Sequence, residues 1–264
     1  MVGGGGLVWV ANRRDGTVTV VDPGANRVQE TLPASESGPI GEGGPDLAFA
    51  SGSLWVANAD QQQVTRVEPD ADPIPIQMNA RPNALAAAPG TDAVWVAAQT
   101  QAGGGLLARI DTGTNQVGWE VPLRHAPTGL TVTSDARTVW LATGSDRVLH
   151  RVDASSGRVD GQIQLRQAPD QVAFGDGAVW VTSSSSDAVL RINPTTSKVQ
   201  ATIRVGNGPG GIAFGADRVW VANREDGTVS TIDPQSNIVG TLHLGFRPAA
   251  VAVEQPAVWV ALAA

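Results

Sequence analysis

The sequence predicts an all-β fold: a β-propeller of four-stranded antiparallel blades with about 40 residues per repeat. Three observations predict it. Seven of the eight tryptophans recur in one local phrase at a nearly constant interval. Each interval breaks into four short runs rich in Val, Ile and Thr, separated by Gly, Asp and Pro turn signals. No stretch sustains a 3.6-residue apolar period, so helix is nearly absent.

The phrases are Val8-Trp9-Val10, Leu54-Trp55-Val56, Val94-Trp95-Val96, Val139-Trp140-Leu141, Val179-Trp180-Val181, Val219-Trp220-Val221 and Val258-Trp259-Val260. Their tryptophans lie 46, 40, 45, 40, 40 and 39 residues apart. The run is apolar on both faces, which marks a strand sandwiched between neighbouring blades. The seven rings are therefore core residues, whereas Trp119 falls in a fourth strand and is expected at the rim.

Residues 208–244 show the whole unit. Gly208-Pro209-Gly210-Gly211 opens it and Ile212-Ala213-Phe214 forms the first, channel-lining strand. Arg218-Val219-Trp220-Val221-Ala222-Asn223 forms the second. Glu225-Asp226-Gly227 turns the chain into Thr228-Val229-Ser230-Thr231-Ile232, and Asp233-Pro234 turns it again into Ile238-Val239-Gly240-Thr241-Leu242. Asp-Gly supplies the positive φ of a tight hairpin, and Asp-Pro presets a type I turn. One domain spans 1–264, with repeats at 7–40, 45–80, 82–123, 127–166, 169–206 and 209–245 and a partial repeat at 248–264.

The recurring Pro-x-x-(Ile/Val/Leu)-Ala-(Phe/Val), Val-Trp-Val-Ala-Asn, Asp-Gly-Thr-Val, (Ile/Val)-Asp-Pro and Asn-x-Val resemble the YVTN (YncE-like) propeller repeat of bacterial proteins. The wider group includes NHL-type and virginiamycin B lyase-like propellers. The resemblance covers nearly the whole chain, with Trp where the name-giving motif has Tyr. It implies an extracytoplasmic placement, periplasmic, secreted or at the cell surface, and a role such as the sensor domain of a larger protein. These motif residues are turns and core, so they specify fold and leave function open.

Counting strands favours a seven-bladed parent with an incomplete closing blade. The first strand before Leu7 is expected to be missing, as are two strands after Trp259. A six-bladed ring, in which 250–253 closes onto 7–11, is the alternative. Met1 is followed by Val2, four glycines and then a core strand, with no signal peptide, so the chain reads as a segment of something longer.

Composition narrows the function. A formal charge of −7 and a pI near 4.9 argue against nucleic acid as a partner. There is no cysteine, hence no disulfide, thiolate metal site or Cys nucleophile, and no apolar run long enough to insert into a membrane. No cofactor or metal is expected, and the domain is expected to be monomeric. The three histidines, His125, His150 and His243, occupy different places in the repeat, so no shared metal site or catalytic pair is expected. Gly206-Asn207-Gly208-Pro209-Gly210-Gly211 matches G-x-G-x-x-G, but it lies between antiparallel strands rather than in a βαβ unit, so a dinucleotide site is rejected.

Binding is favoured over catalysis, with a protein, peptide or small anionic ligand as the partner. The site is placed on the channel face where each blade's fourth strand hands over to the next blade's first. The candidate residues there are Arg81, Arg124, Arg166 and Arg247, with Asp46, Asn83, Asp170 and His125. Guanidinium forks suit a carboxylate or phosphate. The alternative is a hydrolase or lyase of the lactonase or virginiamycin B lyase type. Only His125 sits near the place such a lyase needs. Asp46, Asn83 and Asp170 supply fewer oxygens than the six to eight that calcium prefers.

Overall fold

The computed structural model describes residues 1–12, 14–35, 47–255 and 257–262. Blade one contains β1 (Val2–Gly4), β2 (Leu7–Asn12), β3 (Thr17–Asp22) and β4 (Arg27–Pro33), and blade two contains β5 (Leu47–Ala50), β6 (Ser53–Asn58), β7 (Gln63–Val67) and β8 (Ile74–Gln77). Blade three is β9 (Arg81–Ala86), β10 (Ala93–Gln99), β11 (Gly105–Asp111) and β12 (Gln116–Leu123). Blade four is β13 (Gly129–Val132), β14 (Thr138–Thr143), β15 (Val148–Asp153) and β16 (Val159–Gln164). Blade five is β17 (Val172–Gly175), β18 (Ala178–Ser183), β19 (Ala188–Asn193) and β20 (Lys198–Arg204). Blade six is β21 (Pro209–Gly215), β22 (Arg218–Asn223), β23 (Thr228–Ile232) and β24 (Val239–His243). Every sheet is an antiparallel meander, and the only helical piece among the described residues is a 3-10 turn, Ser184–Ser186, in the serine run.

Two expectations need correction. The first strand of blade one is present: β1 pairs with β2 in the register Val2↔Trp9, Gly3↔Val8 and Gly4↔Leu7. Its glycines are required by packing, because a Cβ on Gly4 would stand 2.3 Å from Cγ of Phe49 in the next blade. The favoured seven-bladed parent is also corrected, since the chain forms six blades of four strands. The remaining strands, β25 (Pro248–Glu254) and β26 (Ala257–Leu262), make a two-stranded sheet. The first strand β25 packs between β21 and β1 and closes the ring around the channel, so 250–253 does not pair onto 7–11.

Packing follows one rule around the ring: the Trp face of each blade buries against the next blade. Trp55 clusters with Leu85, Val94 and Val96 of blade three, and Trp180 with Val219, Val221 and Ile232 of blade six. Trp9, Trp55, Trp95, Trp140 and Trp180 are buried, whereas Trp220 and Trp259 are only half-buried. Both exceptions flank or belong to the two-stranded sheet, which among the described residues has no outer strands to complete the cover. Trp119 is half-buried at the rim and donates its indole N–H to the Ser155 carbonyl at 3.1 Å.

Local chemistry fixes the strands. The indoles of Trp9, Trp55, Trp180 and Trp220 donate to the carbonyl five residues earlier, tying the second strand to the first hairpin turn. Arg66 and Arg191, opposite Trp55 and Trp180 on the third strand, lay their guanidinium groups over the rings at 5.6 and 5.4 Å. In the turn between third and fourth strands, a side-chain oxygen caps the backbone: Asp22, Asp111, Asp153, Asn193 and Asp233 accept from amides two or three residues on. These bonds hold the four carboxyls below their ordinary range. The leading cause is the Ala25 amide for Asp22 and the Thr114 amide for Asp111; for Asp153 it is the Ser155 hydroxyl, and for Asp233 the Ser236 amide.

Candidate functional site

The described candidate residues differ in the contacts they make. Arg81, at the start of β9, pairs with Asp60 of the preceding second-to-third loop at 2.5 Å, with both side chains about half exposed. Asn83 donates to the Pro127 carbonyl at 2.7 Å and so ties the first strand of blade three to the loop that leads into blade four. Asp170 accepts the Ser184 backbone N–H at 2.6 Å. Arg124, Arg166 and Arg247 are exposed and have no carboxylate partner among the described residues. Asp46, together with Gly44 and Pro45, lies outside the described residues.

Other acidic groups on this end are already occupied by local turns. Asp226 accepts from the Asn207 amide and the Thr228 hydroxyl, and Asp187 accepts from the Gly208 amide. Asp15 accepts from the Thr17 amide and hydroxyl. Asp15, Asp187 and Asp226 are thus committed to loop architecture, Glu225 stands exposed beside Asp226, and the guanidinium groups of Arg124, Arg166 and Arg247 have no carboxylate partner among the described residues. The G-x-G-x-x-G glycines serve packing here, since a Cβ on Gly206 would stand 2.6 Å from Asn223 and Asp226. Asn83 spends its amide N–H on a backbone carbonyl and leaves its Oδ1 buried without a hydrogen bond, while one carboxylate oxygen of Asp170 accepts a backbone N–H. Among the described residues, no three His, Asp or Glu side chains group as metal ligands.

Two of the three histidines lie near one aspartate. His125, in the loop before β13, lies 3.8 Å from Asp146 Oδ2, and Asp146 Oδ1 accepts the Thr143 hydroxyl at 2.5 Å. The Thr143 oxygen stands 3.1 Å from His150 Nε2, and Gln162 Nε2 approaches His150 Nδ1 at 3.3 Å. With the Thr143 proton directed to Asp146 and Gln162 offering an N–H, the tautomer of His150 protonated on Nε2 satisfies both ring contacts. Burial lowers the His150 pKa, Asp146 opposes that shift, and His125 adds to it. Two histidines thus gather around one aspartate on the handover end of blade four. His243 sits apart on the exposed β24.

The opposite end of the channel holds a cavity of about 940 Å³. Its wall is built from the later halves of the first strands, including Phe49, Leu85, Leu130, Phe174, Phe214 and Val251, with Asp92 and Glu254 at the rim. None of the described candidate residues lines it. Three of the four phenylalanines stand on first strands, a signal present in the sequence and not read there. Their rings also wedge the blades together, since a Cβ on Gly175 would stand 1.9 Å from Phe214 Cγ.

Six four-stranded antiparallel blades around a channel define a β-propeller. Within that class, the fold is similar to virginiamycin B lyase-like propellers. It matches a streptogramin B lyase at a TM-score of 0.82 with 17% identity, over 99% of this chain and 88% of that one. It matches virginiamycin B lyase from Staphylococcus aureus at 0.82 with 15% identity, over 99% and 90%. Kuenenia stuttgartiensis hydrazine synthase matches at 0.81 with 16% identity, over 100% and 94%. At such identities the likeness carries the fold alone. No family model matches the sequence, and no curated protein does.

Proposed function

We propose that this chain is a recognition propeller that binds an acidic peptide or protein segment, or a small anionic ligand, on its handover-loop face. The carrying observation is that Asp170, Asp187 and Asp226 cap loops and Asp60 pairs with Arg81, while Arg124, Arg166 and Arg247 stand exposed without a carboxylate partner among the described residues. A guanidinium offers two parallel N–H donors to a carboxylate or phosphate. Because the net charge is −7, long-range attraction is weak and the contact is short-range. The repeat phrases support a YVTN-type bacterial propeller placed outside the cytoplasm, as a sensor portion of a larger assembly.

The test is calorimetric titration with hexaglutamate and, separately, with inorganic phosphate at low and high salt. Binding should weaken with salt, and the triple variant Arg124→Ala, Arg166→Ala, Arg247→Ala should lose it while melting at the parent temperature. Unchanged affinity in that variant refutes the reading. Arg81 is left out because its pair with Asp60 already satisfies it.

A second reading, a lyase, is favoured by the gathering of His125 and His150 around Asp146 and by the fold similarity to virginiamycin B lyases. Incubation with quinupristin, the compound bound by an inactive variant of the Staphylococcus aureus lyase, decides it. Turnover that disappears in His125→Ala supports the lyase, and an intact substrate excludes that activity.

A further inference from the structure

The cavity at the far end of the channel from the handover loops takes no part in anion recognition, and its lining has the opposite character. At about 940 Å³ it is the size of a small-molecule site. Phe49 on β5, Phe174 on β17 and Phe214 on β21 line it, each half-buried. Phe49 is held by its stack on Trp9, with ring centroids 5.9 Å apart, and by Gly4 and Gly5, which carry no side chain to collide with its ring. Phe214 lies over Gly175 in the same way. Strands β5, β9, β13, β17 and β21 each pair on one side only, so a main-chain edge of each remains at the channel wall.

The charged side chains in this lining are both carboxylates, Asp92 in the loop after β9 and Glu254 at the end of β25. Glu254 is anchored: its Oε1 accepts the Gly6 amide at 3.1 Å, and Gly3 leaves room for Oε2, which would stand 2.7 Å from a Cβ there. Asp92 is exposed, and its carboxylate has no hydrogen bond or ion pair among the described residues. The Arg109 guanidinium turns instead to the Asp92 carbonyl at 3.5 Å and the Asp111 carboxylate at 3.9 Å. Asp135, Asp176 and Asp217 stand in the corresponding loops of blades four, five and six, against Arg137 and Arg218. Carboxylates at a low-dielectric mouth focus a negative potential there. Asp92, Phe174 and Phe214 belong to blades three, five and six, so this part of the wall is independent of either end of the sequence.

We propose that this cavity binds a primary ammonium ion carrying an aromatic body, with the ammonium at the carboxylates of Asp92 and Glu254 and the body against the phenylalanines. A primary ammonium has three donors and no acceptor, which suits carboxylates and open first-strand carbonyls. An aromatic body meets the phenylalanine rings in offset or edge-to-face contacts. Among the described residues no arginine, lysine or histidine lines the cavity, so like-charge repulsion opposes a carboxylate or phosphate there. The two ends of the channel thereby sort ligands by charge. This site is separate from the handover face and stands whether or not an anion binds there.

The experiment titrates the full chain, followed by amide resonances in NMR, with probes that vary one property at a time. Phenethylammonium carries both halves. 2-Phenylethanol keeps the body without the charge, 3-phenylpropionate reverses the charge, and methylammonium keeps the charge without the body. Phenethylammonium should bind and move the amides of 49–52, 87–92 and 251–254, leaving 124–128 and 166–170 unmoved. The other three probes should bind about tenfold more weakly or not at all. Asp92→Asn and Glu254→Gln keep size and the acceptor for the Gly6 amide. Each should weaken phenethylammonium by about threefold to fivefold, as for a partly exposed charge pair, with the melting temperature unchanged. The proposal is overturned if phenethylammonium does not saturate, or if any of the other probes binds as well. It is also overturned if the moved amides are those of 124–128 and 166–170, or if the double variant binds undiminished. The probe series is read on the unmodified protein, so it decides the matter even if a variant fails to fold.

Discussion

Replacing Trp180 and Trp220 separately by alanine turns the packing rule into numbers. The two rings occupy the same place in adjacent blades, and each donates its indole N–H to the carbonyl five residues earlier at 3.0 Å. They differ in cover: Trp180 is fully buried under blade six and Arg191, while Trp220 faces the two-stranded sheet and is half-buried. Truncating a fully buried aromatic costs about 3–5 kcal/mol. A tryptophan buries roughly 150–250 Å²; the part left open at Trp220, roughly a tenth to a third of that area, at about 25 cal/mol per Å² lowers its cost by roughly 0.3–2 kcal/mol. A difference of about 1 kcal/mol corresponds to roughly 2–4 °C in melting temperature for a domain near this size. Thermal unfolding followed by far-ultraviolet circular dichroism reads it directly. Equal losses for the two variants would refute the claim that incomplete cover at the closing sheet exposes Trp220.

Two further outcomes follow from the turns and the wedge. The capping carboxyls of Asp22, Asp111, Asp153 and Asp233 have folded pKa values below the ordinary 3.8, so their contribution is present above that pH and is lost as pH falls below it. Replacing all four by Asn, which already caps this turn as Asn193, should flatten the acid limb of a stability–pH curve and leave neutral stability nearly unchanged; an unaltered acid limb would count against the caps. Gly175→Ala should destabilise by about 1–3 kcal/mol through overpacking against Phe214. Phe214→Ala in the same chain should recover part of that loss in urea titrations, and additive losses would show that the two residues do not meet.

The Trp strands were legible because a large apolar residue between two β-branched neighbours, repeated at one interval, has few alternative meanings. The turns were legible because Asp-Gly and Asp-Pro act locally. The strand β1 was not, since Gly3 and Gly4 have weak strand propensity and their pairing is explained by a Phe49 ring supplied from another blade. The blade count depended on that strand, and so did the expectation of a missing first strand. At the candidate site, the sequence placed the arginines on the handover loops but could not pair Arg81 with Asp60. Nor could it join His125 to His150, which meet only through Asp146 and Thr143 on a third element. Partners of this kind are set by how loops fold back at a blade end, and no local spacing encodes them.

The central claim, recognition at the handover face, is tested most directly by amide hydrogen exchange with and without hexaglutamate at low salt. The account predicts slowed exchange at 124–128, 166–170 and 246–247, where Arg124, Arg166 and Arg247 present free guanidinium groups. It also predicts no change at 87–92 and 251–254, which border the cavity at the other end of the channel. Protection confined to 87–92 and 251–254 would contradict it and move the binding site to the opposite mouth.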